Sequence, residues 1–137
     1  MATIALEIVT PDRPLVREQV DEVELPGAEG YMGVLPGHTP LLTLLQVGEL
    51  WYRRGNEKTY LAVAFGFAEV LPDRVTVLAQ VAERAEDIDV PRAQAALQRA
   101  TARLAQNAPD IDYDRARIAQ QKAQTRLDVA AHARTRV

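Results

Sequence analysis

Leu50-Trp51-Tyr52-Arg53-Arg54-Gly55-Asn56-Glu57-Lys58-Thr59-Tyr60-Leu61-Ala62-Val63-Ala64 decides the fold class of the first part of the chain. Leu50 to Arg53 and Thr59 to Ala64 flank a polar stretch, Arg54 to Lys58, that carries the Gly-Asn chemistry of a hairpin turn. Working outward, Ile4, Leu6 and Ile8 alternate with Ala5 and Glu7, the period of a half-buried strand. Val20, Val23 and Leu25 form another apolar series, ended by Pro26-Gly27. Phe67 to Leu71 and Val75 to Ala79 flank Pro72-Asp73-Arg74, where proline presets φ for a turn. So many short strands predict a β-sandwich or flattened barrel, because a single sheet would leave one apolar face wet.

The period changes after Ala82. Asp89 is a good N-cap, and Pro91 is tolerated in the first helical turn, where its missing N–H had no partner. Ala93, Leu97, Ala100 and Leu104 then lie on one helix face. Asn107-Ala108-Pro109 ends that helix, and Asp110 or Asp112 can cap a second one, striped by Ala116, Ala119, Ala123, Leu127 and Ala130. A linker this short requires an antiparallel hairpin. The expected organisation is therefore mainly β plus α: a sandwich over residues 1–84 and a helical hairpin over 85–137. Burial contributes about 0.8 kcal/mol per CH₂, so a seam of alanines gains little. The pattern leaves two readings open, a hairpin that docks in more than one way and one that is permanently docked.

Composition excludes much. The 137 residues suffice for one compact core and a small appendage. There is no cysteine and no serine, which removes disulfides, thiolate metal sites and both of those nucleophiles. The two histidines, His38 and His132, are far apart in the chain. Residues 1–82 carry a net charge of −5 and residues 83–137 a net +2, too weak and too interspersed to indicate nucleic acid. No apolar run has the ~18 residues a membrane span needs, and the N-terminus lacks a signal-peptide pattern, so a soluble, cytoplasmic-side protein is expected.

Gly27-x-x-Gly30-x-x-Gly33 has phosphate-loop spacing, but the following Pro36 and Pro40 cannot open the helix such a loop needs, and turn glycines fit better. Asp110-x-Asp112-x-Asp114 opens like a calcium loop, yet Arg115 and Gln121 stand where glycine and glutamate are required. Arg92 and Arg99 share one face of the first helix, and Lys122 and Arg126 one face of the second. With the turn near residue 109, position 92 falls near 126 and position 99 near 119. Like charges would then converge beside Asp89, which suits a bound anion. The alternative is that they splay into water, paired locally with Glu83, Asp87 and Asp128.

Pro26-Gly27-x-x-Gly30-x-x-Gly33-Val34-Leu35-Pro36-Gly37-His38-Thr39-Pro40-Leu41-Leu42-Thr43 closely resembles the signature of the epsilon-subunit family of bacterial-type F-type ATP synthases. Phe65 to Val70, Val75 to Ala79 and Ala82 to Asp89 are similar to that family too. The resemblance implies a non-catalytic central-stalk subunit with no catalytic cofactor, at the cytoplasmic face of the membrane. Its sandwich would clamp the gamma subunit against the c-subunit ring, with Glu29, Gly30, Tyr31 and His38 facing the ring. Tyr31 stands where many relatives carry an acid. The hairpin would permit turnover when folded and block ATP hydrolysis when extended along gamma into the alpha/beta catalytic head. In some bacterial relatives ATP holds the hairpin folded through Ile/Leu-Asp-x-x-Arg-Ala, present here as Ile88, Asp89, Arg92 and Ala93. Glu83, Arg99 and Arg126 match further positions of that regulatory ATP site, and Lys122 replaces an arginine, keeping charge but losing the planar fork. The competing reading is a free-standing ATP-sensing module with no rotor role, which leaves the Gly/Pro loop unexplained.

Overall fold

The computed structural model describes residues 2–106 and 108–134. Eight strands come first: β1 (Ile4–Val9), β2 (Pro14–Val20), β3 (Glu22–Gly27), β4 (Gly30–Val34), β5 (Leu41–Leu45), β6 (Gly48–Arg54), β7 (Glu57–Leu71) and β8 (Arg74–Arg84). A 3-10 turn, Ala85–Asp87, leads into α1 (Val90–Ala105) and α2 (Tyr113–Arg134). This is the expected flattened sandwich followed by a two-helix hairpin. The strand order is β2-β1-β8-β7-β5-β3-β4, and β6 closes a ring by pairing with both β3 and β7. β1 and β8 run parallel, whereas every other pair is antiparallel.

The hairpin of β6 and β7 forms with Arg54 opposite Glu57, so its turn is only Gly55-Asn56. Gly55 has φ of +57°, and its N–H donates to Asp21 Oδ2 at 2.7 Å, which ties the turn to the connection between β2 and β3. Beyond it the structure departs from expectation. Thr59 to Ala64 and Phe67 to Leu71 are not two strands but parts of the single 15-residue β7. Its first half pairs with β6 and its second half with β5, while β8 follows both.

The change of partner happens at Phe65 and Gly66, whose φ values are +61° and +120°. Before this corner Leu61 and Val63 point into the core; after it Ala68 and Val70 do. The inward parity has flipped. An uninterrupted strand would have put Phe67 inside and left the second half out of phase with the core. Gly66 is obligatory here, because a Cβ would lie 2.0 Å from the Leu78 carbonyl oxygen and 2.9 Å from Ala79 Cα, both backbone atoms of β8. The main core collects Ile4, Leu6 and Ile8 from β1, Val23 and Leu25 from β3, Leu50 from β6, and Val75 and Val77 from β8.

The hairpin follows its sequence signals. Asp89 caps α1 by accepting from the Arg92 N–H at 3.1 Å, with Pro91 in the first turn. Of the two candidate caps of α2, Asp112 acts, accepting from the Arg115 N–H at 3.1 Å. Asn107 of the expected stop signal lies outside the described residues. Ala93, Ala100, Ala116, Ala123 and Ala130 are buried, Leu97, Leu104 and Leu127 half-buried, and Ala119 exposed. The hairpin meets the sandwich mainly through α2, which rests on β6 and β7 while α1 packs on α2. A small second cluster joins the two parts: Ala62, Ala85, Ile88, Val129 and Ala130.

Gly66→Ala is expected to destabilise the fold by about 3 kcal/mol or more, from backbone overlap at a left-handed φ. Gly33→Ala, where an added Cβ meets nothing within 4 Å, should shift stability by about 0.5 kcal/mol or less. Urea unfolding of both variants measures the contrast.

Candidate functional site

A groove of about 280 Å³ runs between α2 and the sandwich. Its walls are small and apolar, chiefly Ala62, Ala64, Val81, Ala96 and Ala123, and its polar side holds Glu83, Lys122 and Arg126. The corner in β7 builds this floor, because the residues facing outward before Phe65 are Tyr60, Ala62 and Ala64, and α2 covers them. Arg126 faces Glu83 in an ion pair, its Nη2 donating to Oε2 at 3.1 Å and its Nε lying 2.8 Å from Oε1. A planar guanidinium matched to a carboxylate in this way is a charge-assisted, oriented contact. Lys122 Nζ lies 5.5 Å from the centroid of the Phe65 ring, a cation–π arrangement at the groove's edge.

The structure thus brings Glu83, Lys122 and Arg126 together. Ile88 and Ala93 are buried beneath and beside them, in the cluster under α2 and in the α1–α2 seam. Asp89 is engaged as the helix cap and Arg92 is exposed. Arg99 does not line this groove. It lines a second recess with Arg103, Arg115 and Ala119, and Ala96 and Ala119 form a wall common to both. Position 99 therefore lies near 119, as antiparallel counting about residue 109 requires. The same count pairs 103 with 115, the signal that would have found the other two arginines.

Glu29, Gly30 and Tyr31 sit at the β3–β4 turn. Gly30 has φ of +124°, and Tyr31 is 59% exposed although its hydroxyl accepts from the Glu49 N–H at 3.1 Å. His38 lies in the loop after β4, its Nδ1 2.7 Å from the Thr39 carbonyl oxygen, and neighbouring Gly37 donates to Pro72 O. The two groups follow opposite ends of β4, a strand about 13 Å long at ~3.3 Å per residue. Among the described residues β4 pairs only with β3, which leaves its other edge open.

One surface escaped the sequence reading. Leu44 of β5 stands opposite Phe67 of β7, which stands opposite Leu78 of β8. All three point outward, with Leu42 two residues along the same face, and their exposures run from 39% at Leu78 to 67% at Leu42. α2 does not cover this face, since it lies on the half of β7 before the corner. The available signal was Leu41-Leu42-Thr43-Leu44-Leu45, a strand apolar on both faces and hence one that expects cover on both.

Two family models match in succession. The ATP synthase, Delta/Epsilon chain, beta-sandwich domain covers residues 3–85, and the ATP synthase, Delta/Epsilon chain, long alpha-helix domain covers residues 86–131. Among similar proteins, the ATP synthase epsilon chain of Solibacter usitatus is 60% identical over 72% of this chain and 73% of its own length. The Koribacter versatilis epsilon chain is 54% identical over 74% and 71%. A chain in the Euglena gracilis mitochondrial ATP synthase structure, containing OSCP, F1 and the c-ring, superposes with a TM-score of 0.80 at 26% identity, over 98% of this chain and 82% of that one. A chain from the Tetrahymena thermophila central stalk and c-ring shares the fold, with a TM-score of 0.61 at 14% identity over 96% of each. Sandwich, hairpin and relatives agree, and the chain belongs to the ATP synthase delta/epsilon family as a bacterial-type F-type epsilon subunit, an accessory subunit that is not a catalyst.

Proposed function

We propose that this subunit couples rotation of the c ring to the gamma shaft, with residues 1–84 as the coupling domain. The observation that carries this reading is the row Leu42, Leu44, Phe67 and Leu78. Contiguous exposed apolar side chains on a rigid sheet mark a protein interface, and a rigid sheet transmits torque better than a loop. In this reading the row receives the gamma subunit. The open edge of β4, with Glu29, Gly30 and Tyr31 at one end and His38 at the other, faces the c ring. Tyr31 contributes aromatic area there in place of a charge. The subunit is then peripheral, at the cytoplasmic face of the membrane; among the described residues no helix is long and apolar enough to cross one.

Residues 85–137 form the regulatory part of the proposal. The fully buried side chains by which the hairpin rests on the sandwich are alanines, Val129 and Ile88, so its docked and extended forms are close in free energy. Extended along gamma into the alpha/beta head, it inhibits ATP hydrolysis. ATP opposes this by binding the docked form, with phosphates met by Lys122 and Arg126 at the groove and by Arg92 and Arg99 along α1. Because Glu83 already occupies Arg126, the nucleotide must share or displace that pair, and affinity is modest. The row on the sandwich also argues against a free-standing nucleotide sensor, which would have no use for it.

A Leu44→Glu, Phe67→Asp double variant should bind the matching gamma subunit at least about 100-fold more weakly, as expected for loss of interface anchors, while its circular dichroism stays that of the native chain. Unchanged affinity contradicts the assignment of the gamma surface. Calorimetric titration of the full chain with ATP should show saturable binding that Lys122→Ala and Arg92→Ala each weaken about tenfold, in line with a lost charge-assisted contact. No heat at millimolar ATP would refute the nucleotide control.

A further inference from the structure

The far end of α2 makes a contact that no nucleotide groove requires. His132 Nε2 lies 2.6 Å from Glu49 Oε1 on β6, and its ring lies flat on Tyr60 of β7, with centroids 3.6 Å apart and planes 3° from parallel. Next to it Val129 and Ala130 are buried against Ala62. The imidazole therefore adds aromatic and polar contact to the apolar contact that this end of α2 makes with the sheet. We propose that Glu49, Tyr60 and His132 form a charge-dependent latch that holds the hairpin down, and that loss of the imidazolium proton loosens it. The inference rests on the reading that the hairpin leaves the sandwich.

The surroundings define what the charge meets. Glu49 from β6 and Glu24 from β3 line the recess, with the phenols of Tyr31 from β4 and Tyr60 from β7. Lys58 Nζ lies 4.1 Å above the Trp51 ring at the recess wall. On the same helix, Asp128 lies one turn before His132 and accepts from Gln124 Nε2 at 2.9 Å. A protonated His132 makes an ion pair with Glu49 and a cation–π stack on Tyr60. A neutral one carries no charge to bring to either contact. Because the apolar tie beside it is a handful of small side chains, that difference is large enough to change the docked population. Arg126 and Glu83, one and a half turns back, form a second polar tie, which contains no histidine. The latch thus makes hairpin release depend on the charge of His132.

The test is amide exchange along α2, followed by NMR on the full chain and corrected for intrinsic rates. His132→Ala should speed α2 exchange about tenfold, and His132→Phe, which keeps a stacking ring, about threefold, with the strands unchanged. In the wild type the corrected α2 rate should rise with pH across the general histidine range, about pH 5 to 8, and Glu49→Gln should flatten that rise. Wild-type exchange in His132→Ala, or a wild-type rate indifferent to pH, overturns the latch alone. Exchange of α2 only together with the sheet, in every variant, overturns the latch and the mobile hairpin together.

Discussion

The backbone approach of β7 to β8 at Gly66 is the constraint on which the rest of this structure depends. A Cβ there would overlap the Leu78 carbonyl, so the strands can lie this close only because the residue is glycine. The two positive φ values at Phe65 and Gly66 rotate the strand by one side-chain position while pairing with β8 continues on either side. That rotation assigns the two outer faces. Before the corner, Tyr60, Ala62 and Ala64 make a shallow bed of mostly small residues for α2. After it, Phe67 joins Leu44 and Leu78 in an apolar row. One kink thus separates a surface that receives the chain's own hairpin from a surface available to another subunit.

The two faces differ in chemistry as the proposed tasks require. The row carries large side chains that gain substantially from burial by a partner, as a lasting interface needs. The bed under α2 carries alanines, which gain little, and is supplemented by two polar ties, Arg126 to Glu83 and His132 to Glu49. Polar ties between partly exposed groups contribute modestly and respond to charge state and competing ions. An element held this way is firm enough to be a defined structure and weak enough to be released.

Local signals made much of this legible in the sequence. Gly55-Asn56 announced its turn, Asp89 with Pro91 its helix start, and the alanines of α1 and α2 their seam, because each depends on residues within a turn or two of one another. Glu83 and Arg126, 43 residues apart, were legible as an ion pair in the reading that lets the hairpin cations pair with nearby acids, and as members of one site only through the family resemblance. The continuity of β7 was illegible for a specific reason: a left-handed Phe65 is unusual for a bulky residue, so local reading breaks the strand there. The outward face of Phe67 was hidden with it, because the parity flip is visible only once pairing with β8 is known. His132 was unreadable for a third reason, as its partners Glu49 and Tyr60 lie on strands far away in the chain and meet it only when α2 docks.

The most direct measurement of the central claim, that the corner divides a coupling face from a releasable hairpin, is hydrogen–deuterium exchange of the chain alone and bound to its gamma subunit. The account predicts new protection at residues 41–45, 66–69 and 76–78, with the docked hairpin gaining none. Protection confined to α1 and α2, with those strands unchanged, would contradict it.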